Sequence, residues 1–390
     1  METALRSNES FTAIRPEART QEPIVHSLGW NVSPEDLDII PKHWLTYAEP
    51  AASLHLLIGT FYTAFMVCGL IGNGLVIWIF ATSKSLRTPS NLFVINLAVC
   101  DFLMMSKIPM LIYNSFKQGM ALGSVWCEVY GLIGSISGIG ASITNAFISY
   151  DRYSIIANPM NGKMKMTKAI FCLIFIWCYI LPWSFFPYFK VWGRFVPEGF
   201  LTTCSFDYLD ESFDIKLFVT VLFTFTYVIP IFLILFNYSR ICAHVFSHEK
   251  ALKNQAKKMN VFSIRSTQKK SGNISNEIRI TKAAITMCFL FVLSWTPYSA
   301  VALIGIYGDK TLLTPVITMI PAVTCKLVAC FDPYVYAISH PKYRVELQKR
   351  LPWLPINEKQ DKYSDSVSMN TTFTNTETTV KTTNDNENDD

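Results

Sequence analysis

The sequence predicts an all-α membrane protein: a seven-transmembrane helix bundle. Three observations carry that prediction. The 390-residue chain is 51% hydrophobic and only 16% charged, where soluble domains carry about 25% charge. Seven apolar stretches come near the ~20 residues that cross ~30 Å of hydrocarbon. No alternation of period two marks barrel strands, so the spans read as helices, which satisfy their own backbone hydrogen bonds in lipid.

The elements follow in order. Residues 1–53 contain no apolar run long enough for a cleavable signal and read as an outer tail. The spans fall near 54–80, 91–114, 124–150, 168–190, 216–240, 279–305 and 313–338, so the bundle covers 54–338. The connections near 81–90, 151–168 and 240–282, with the segment 339–352 just after the seventh span, hold about 20 Lys and Arg; the other three connections hold about three. Basic connections stay inside, which places the N-terminus outside. Asn8 and Asn31 open glycosylation triplets on the outer tail. Asn8 is the better placed, because Asn31 is followed by Pro34 and lies near the membrane. Similar triplets at Asn237, Asn273 and Asn370 fall in a span or on the inner side and read as chance. Residues 339–352 follow the seventh span on the inner side. Residues 353–390 are rich in Ser, Thr, Asn and acids, end in "NDNENDD", and are too polar to bury a core, which predicts disorder. No internal repeat supports a transporter. No metal site, catalytic residue or nucleic-acid surface is assigned.

Most of the ten cysteines lie in spans and read as small apolar residues. Cys127, at the outer end of span three, and Cys204, in the long outer loop, both face an oxidising compartment and are expected to pair. Within the spans several polar residues stand out: Asn73 in "GLIGNGLVIW", Asp101 in "NLAVCDFLMM", Asp151-Arg152-Tyr153 closing span three, Trp295 in "SWTPY", and Asp332 and Tyr336 in "DPYVY". Each alone could be an interhelical hydrogen bond, a proline kink or a span end. Lys326 is harder to dismiss. It stands in "AVTCKLVACFDPYV" with no acid within five residues, and a lysine at mid-helix is unfavourable by roughly 2.5–3.5 kcal/mol on insertion scales.

In this order across seven spans, these motifs resemble the rhodopsin-like G-protein-coupled receptors over residues 54–350. Trp177, Pro182, Pro230 and Tyr238 also match that family; Asp332 departs from the more common Asn. Lys326 lies six residues before Asp332, where opsins carry their retinal-binding lysine. "LGWNVSPEDLDIIPKHWLTY", "WGRFVPEG" and "HEKALKNQAKKMNV" resemble arthropod visual opsins, most closely the insect ultraviolet-sensitive group.

The resemblance implies a light-sensing receptor, not an enzyme, with a short amphipathic helix after the seventh span, over residues 339–352. Its cofactor would be 11-cis-retinal or a hydroxylated retinal, bound covalently as a Schiff base, since a desolvated amine is a nucleophile toward an aldehyde. Glu198, six residues before Cys204, would be the counterion. Tyr130 stands where vertebrate pigments place a carboxylate and would offer a hydrogen bond without charge. Trp295 and Tyr298 would line the polyene pocket. At the inner face, Asp151 and Glu277 would hold Arg152, while Tyr238 and Tyr336 would stabilise the open state; Asn73, Asp101 and Asp332 would form a polar network. The implied partners are membrane lipid, a heterotrimeric G protein of the Gq class through the basic segment 250–258, and a receptor kinase and arrestin at the Ser and Thr of 364–383. The implied location is a photoreceptor microvillar membrane.

Lys107 carries the colour expectation. It lies ~9 Å outward of Asp101 and Lys326 ~9 Å outward of Asp332 at 1.5 Å per residue, which puts both lysines at one level if the aspartates face each other. Two unit charges ~6 Å apart at an effective dielectric of ~20 repel by roughly 3 kcal/mol. That favours an imine without its proton, and so an ultraviolet pigment. A blue-sensitive pigment is the second reading, an opsin-fold retinal photoisomerase a third, and outward snorkelling of Lys107 the bland one.

Overall fold

The computed structural model describes residues 26–158, 161–259 and 264–354. Asn8, the side chains of Glu277, Tyr336 and the 250–258 segment, and the tail after residue 354 lie outside the described residues. Among the described residues seven helices are long and apolar enough to cross a membrane: Ala52–Thr82, Pro89–Phe116, Ser124–Ala157, Met166–Tyr188, Phe213–Val245, Arg279–Tyr307 and Pro315–Val335. They are spans one to seven. A further helix, Pro341–Arg350, follows the seventh. Its N-cap is His340, whose Nδ1 accepts the Tyr343 N–H at 3.2 Å. Burial first, and then the charge of Arg152, push this imidazole down to about 4, so the ring is neutral and its nitrogen can accept.

Prolines shape the spans, and neighbouring side chains repair the backbone they leave open. Pro230 has no N–H for the Thr226 carbonyl, span five loosens into a π-turn over Thr224–Val228, and the Ser142 hydroxyl of span three donates to that carbonyl at 2.7 Å. Pro333 frees the Ala329 carbonyl, which takes the Asn73 amide of span one at 2.7 Å. Span two breaks at Lys107, which separates Pro89–Ser106 from Ile108–Phe116. Pro109 in the following turn is the local cause. The Trp177 indole donates to Asn96, and Asn96 to Thr144, joining spans four, two and three.

Two features of the disulfide end were not legible as elements. The loop between spans four and five folds into a hairpin of two strands, β1 (Phe195–Glu198) and β2 (Thr203–Phe206), with Glu198 opposite Thr203. Its turn uses left-handed backbone at Gly199 and Leu201. Residues 26–50, expected to be part of a tail, instead fold over this end. Leu28, Val32, Ile40 and Trp44 are buried, Leu28 N–H donates to the Tyr47 carbonyl, and the Trp30 indole donates to Glu49. The Asn31 amide nitrogen donates to the carbonyls of Lys117 and Gln118 at 3.2 and 3.1 Å. A glycan on that nitrogen would leave it one N–H and so one of these two hydrogen bonds.

Candidate functional site

The site lies between the hairpin and the middle of the bundle. Span three supplies its floor because it carries glycines at 131, 134 and 138, on one helical face. A Cβ at Gly131 would stand 2.5 Å from the Phe195 ring, and one at Gly138 2.6 Å from the Trp295 ring. A Cβ at Gly134 would collide with Lys107 Nζ. The missing side chains therefore let the hairpin, Trp295 and Lys107 approach the helix. The spacing was present in "YGLIGSISGIGAS", but only the packing gives it meaning.

The cavity above this floor brings together Lys326, Lys107, Glu198, Tyr130, Trp295 and Tyr298. Lys326 is 4% exposed, and its Nζ donates to the Ala322 carbonyl at 2.7 Å. Ala322 is one turn before it, and the same carbonyl accepts the Tyr62 hydroxyl at 3.1 Å. Tyr62 was not singled out from the sequence. Among the described residues no carboxylate lies within ion-pair distance of Lys326.

Glu198 is 5% exposed. Four hydroxyls donate to it: Ser205 at 2.8 Å, Tyr208 at 3.1 Å, and Thr203 and Tyr298 at 3.4 Å. β1 carries the acid; in the hairpin register Thr203 of β2 stands opposite it, and Ser205, paired with Val196, reaches it diagonally on the same face. Burial, followed by the adjacent Glu198 charge, pushes the Tyr208 phenol well above its ordinary range, so it keeps its proton and donates. A buried carboxylate needs such donors when no cation touches it.

Lys107 does not snorkel outward. It is 4% exposed, and its Nζ lies 4.1 Å from the Tyr130 ring centroid, a cation–π contact. The Tyr130 hydroxyl, expected to offer a hydrogen bond, has no partner among the described residues. The ring face is what this residue presents.

A smaller cavity lies below. Asp101 and Asp332 line it together, which sets the two carboxyls facing each other, and Trp295 lines both this cavity and the upper one. Trp295 packs against Phe291 and Tyr298 at ring separations of 5.9 and 6.1 Å. At the far end the Arg152 guanidinium donates to Asp151 at 2.6 Å, with both side chains buried. Tyr153 lies 6.1 Å from the His244 ring, and the Tyr238 hydroxyl is 3.3 Å from Cys288 Sγ.

Cys127 and Cys204 form a disulfide between span three and β2, 77 residues apart. It pins the strand that orients Glu198. Cross-links over long loops contribute roughly 2–4 kcal/mol. Replacing either cysteine with serine should therefore lower the thermal midpoint and the yield of folded protein, whereas Cys100→Ala, in span two, should change both much less. Equal behaviour of the three variants, or free thiols at both positions in non-reducing peptide maps, would contradict this.

The family pattern described as 7 transmembrane receptor (rhodopsin family) matches residues 72–336. The chain is 58% identical over 365 residues to opsin Rh4 of Drosophila melanogaster, covering 93% of this chain and 96% of that one. It is 60% identical over 349 residues to the ultraviolet-sensitive opsin of Apis mellifera, covering 90% and 93%. The crystal structure of squid rhodopsin superposes with a TM-score of 0.76 at 32% identity, over 83% of this chain and 93% of that one.

Proposed function

The chain belongs to the seven-transmembrane receptors of the rhodopsin family, and within them to the insect visual opsins, and from that premise we propose that Lys326 holds its retinal covalently and that Lys107 tunes it to the ultraviolet. The protein is a light-sensing G-protein-coupled receptor of the membrane rather than an enzyme. The observation that carries the proposal is a single one: a buried amine with no carboxylate partner among the described residues opens into a glycine-floored, aromatic-walled cavity. Those residues fit a polyene aldehyde, because the cavity is walled by aromatic and aliphatic side chains such as Phe195, Phe206, Leu222 and Trp295, and the only charged groups lining it among the described residues are the two lysines and Glu198. Bound through Lys326 Nζ, retinal absorbs in the ultraviolet when that nitrogen has no proton and in the visible when it has one, and it changes shape on absorbing.

The chain's own residues do the rest. Ala322 and Tyr62 orient the Lys326 amine. The hairpin covers the cavity, and residues 26–50 pack over the hairpin turn, where Gly29 lies against Leu201. The cavity holds two amines and one carboxylate, so Glu198 can balance one positive charge. With Lys107 keeping its proton against the Tyr130 face, the proton is disfavoured at Lys326 Nζ. The naming of the Apis relative as ultraviolet-sensitive supports the same reading, while a blue-sensitive Apis opsin is 48% identical and keeps the blue alternative in view.

Trp295, shared by both cavities, is the part through which a shape change above would reach Asp101 and Asp332 below. The Asp151–Arg152 pair would then open at the inner face and span six would move aside for a G protein of the Gq class, with receptor kinase and arrestin acting later on the tail. Asn8 is the proposed glycosylation site, with the N-terminus outside. Arg152→Gln should leave the absorption spectrum unchanged and lower light-driven nucleotide exchange on Gq by at least tenfold, because a charge-assisted contact is worth roughly 1.5–3 kcal/mol. Full exchange in the variant would remove Arg152 from the mechanism. Exchange on Gi or Gt but not on Gq by the unaltered protein would overturn the coupling class.

A further inference from the structure

A groove lies on the outside of the bundle between spans three and four, toward the end that carries Asp151 and Arg152. Phe147, Phe171, Cys172 and Phe175 line it, and Lys165 and Lys168 stand at its mouth. Phe171 and Phe175 are 67% and 55% exposed and face outward from the bundle. Phe147 holds the inner wall, stacked 5.8 Å from Phe93 and edge-on 6.2 Å from Phe175. Both lysines are exposed, and neither has a carboxylate partner among the described residues. No Asp or Glu occurs in sequence between Asp151 and Glu198. Lys168 Nζ lies 5.7 Å from the Tyr150 ring centroid, beside the Asp151–Arg152 pair.

An apolar trough with uncompensated positive charge at one end matches a molecule with an acyl chain and a net negative headgroup. A zwitterionic lipid would fill the trough but would leave the two lysine charges unbalanced. We propose that this groove is a binding site for one anionic phospholipid of the adjacent leaflet, its phosphate at Lys165 and Lys168 and an acyl chain against the three phenylalanines. The site depends neither on the retinal assignment nor on which way the chain faces.

The test reconstitutes the full chain in nanodiscs with equal phosphatidylserine and phosphatidylcholine, and counts the lipid retained by native mass spectrometry. Each basic residue near a membrane surface shifts preference for anionic lipid roughly fivefold. The unaltered protein should retain phosphatidylserine selectively, and the Lys165→Gln/Lys168→Gln double variant should lose at least fivefold of that selectivity. Cys172→Trp, which fills the trough without changing charge, should lower retention of both lipids. Lys349→Gln, on the helix after span seven, should change nothing. As a check independent of these variants' folding, a Phe171→Trp reporter should be quenched more by brominated phosphatidylserine than by brominated phosphatidylcholine. Equal retention or equal quenching of the two lipids would reduce the site to ordinary boundary lipid. Unchanged selectivity in the double variant, or the same loss in Lys349→Gln, would replace it with a diffuse basic surface.

Discussion

Replacing Lys107 with asparagine moves the dark absorption band from the ultraviolet into the visible, and replacement with glutamate does so at least as far. Lys107, Lys326 and Glu198 line one cavity, and Lys107 has no carboxylate within ion-pair distance among the described residues. Removing its charge leaves Glu198 with one amine to balance. At a separation of ~6 Å and an effective dielectric of ~20, the repulsion removed is roughly 3 kcal/mol, about a hundredfold in proton occupancy at the Lys326 nitrogen. Lys107→Arg is the control. It keeps the charge, so the band should stay in the ultraviolet. Difference spectra of the reconstituted dark pigments read all three. A visible band in the unaltered pigment, or no movement with either asparagine or glutamate, would sink this account.

Lys326→Ala abolishes the covalent pigment altogether. The alanine has no amine to condense with an aldehyde, and Lys107 cannot stand in because its Nζ is directed to the Tyr130 face. Tyr62 keeps its bond to the Ala322 carbonyl without Lys326, so the join between spans one and seven survives and the protein should still fold. Lys326→Arg should behave the same way: it keeps a cation in place but forms no stable imine. The measurement is absorbance after acid denaturation, which retains only covalently attached chromophore. A denaturation-resistant band in either variant would show that another amine carries it.

The spans were legible because bilayer thickness sets their length and because apolar composition is a local property. Lys326 was legible for the same reason, since a charge stands out against an apolar run. The break in span two was not anticipated, although Pro109 signals it. The even rise used to place Lys107 at the level of Lys326 assumed a continuous helix; the residue reaches the shared cavity from a break instead. The hairpin was missed because its strands are only four residues each, too short for a period to register. Glu198 was expected as a counterion, but its four hydroxyl donors were not: two lie across the strand pair, one further along the loop and one on span six.

The sequence by itself determined how many helices cross the membrane, which polar residues they carry into it, and that one amine demanded an explanation. The tertiary structure decided which of those polar groups meet. It turned Lys107 onto the Tyr130 ring instead of outward, used the Asn31 amide to clamp residues 26–50 in place, and set Trp295 between two cavities. Such meetings join residues far apart in the chain. They depend on helix rotation, on proline breaks and on glycines that let backbones close up, none of which the pattern of apolar residues along a single span can fix.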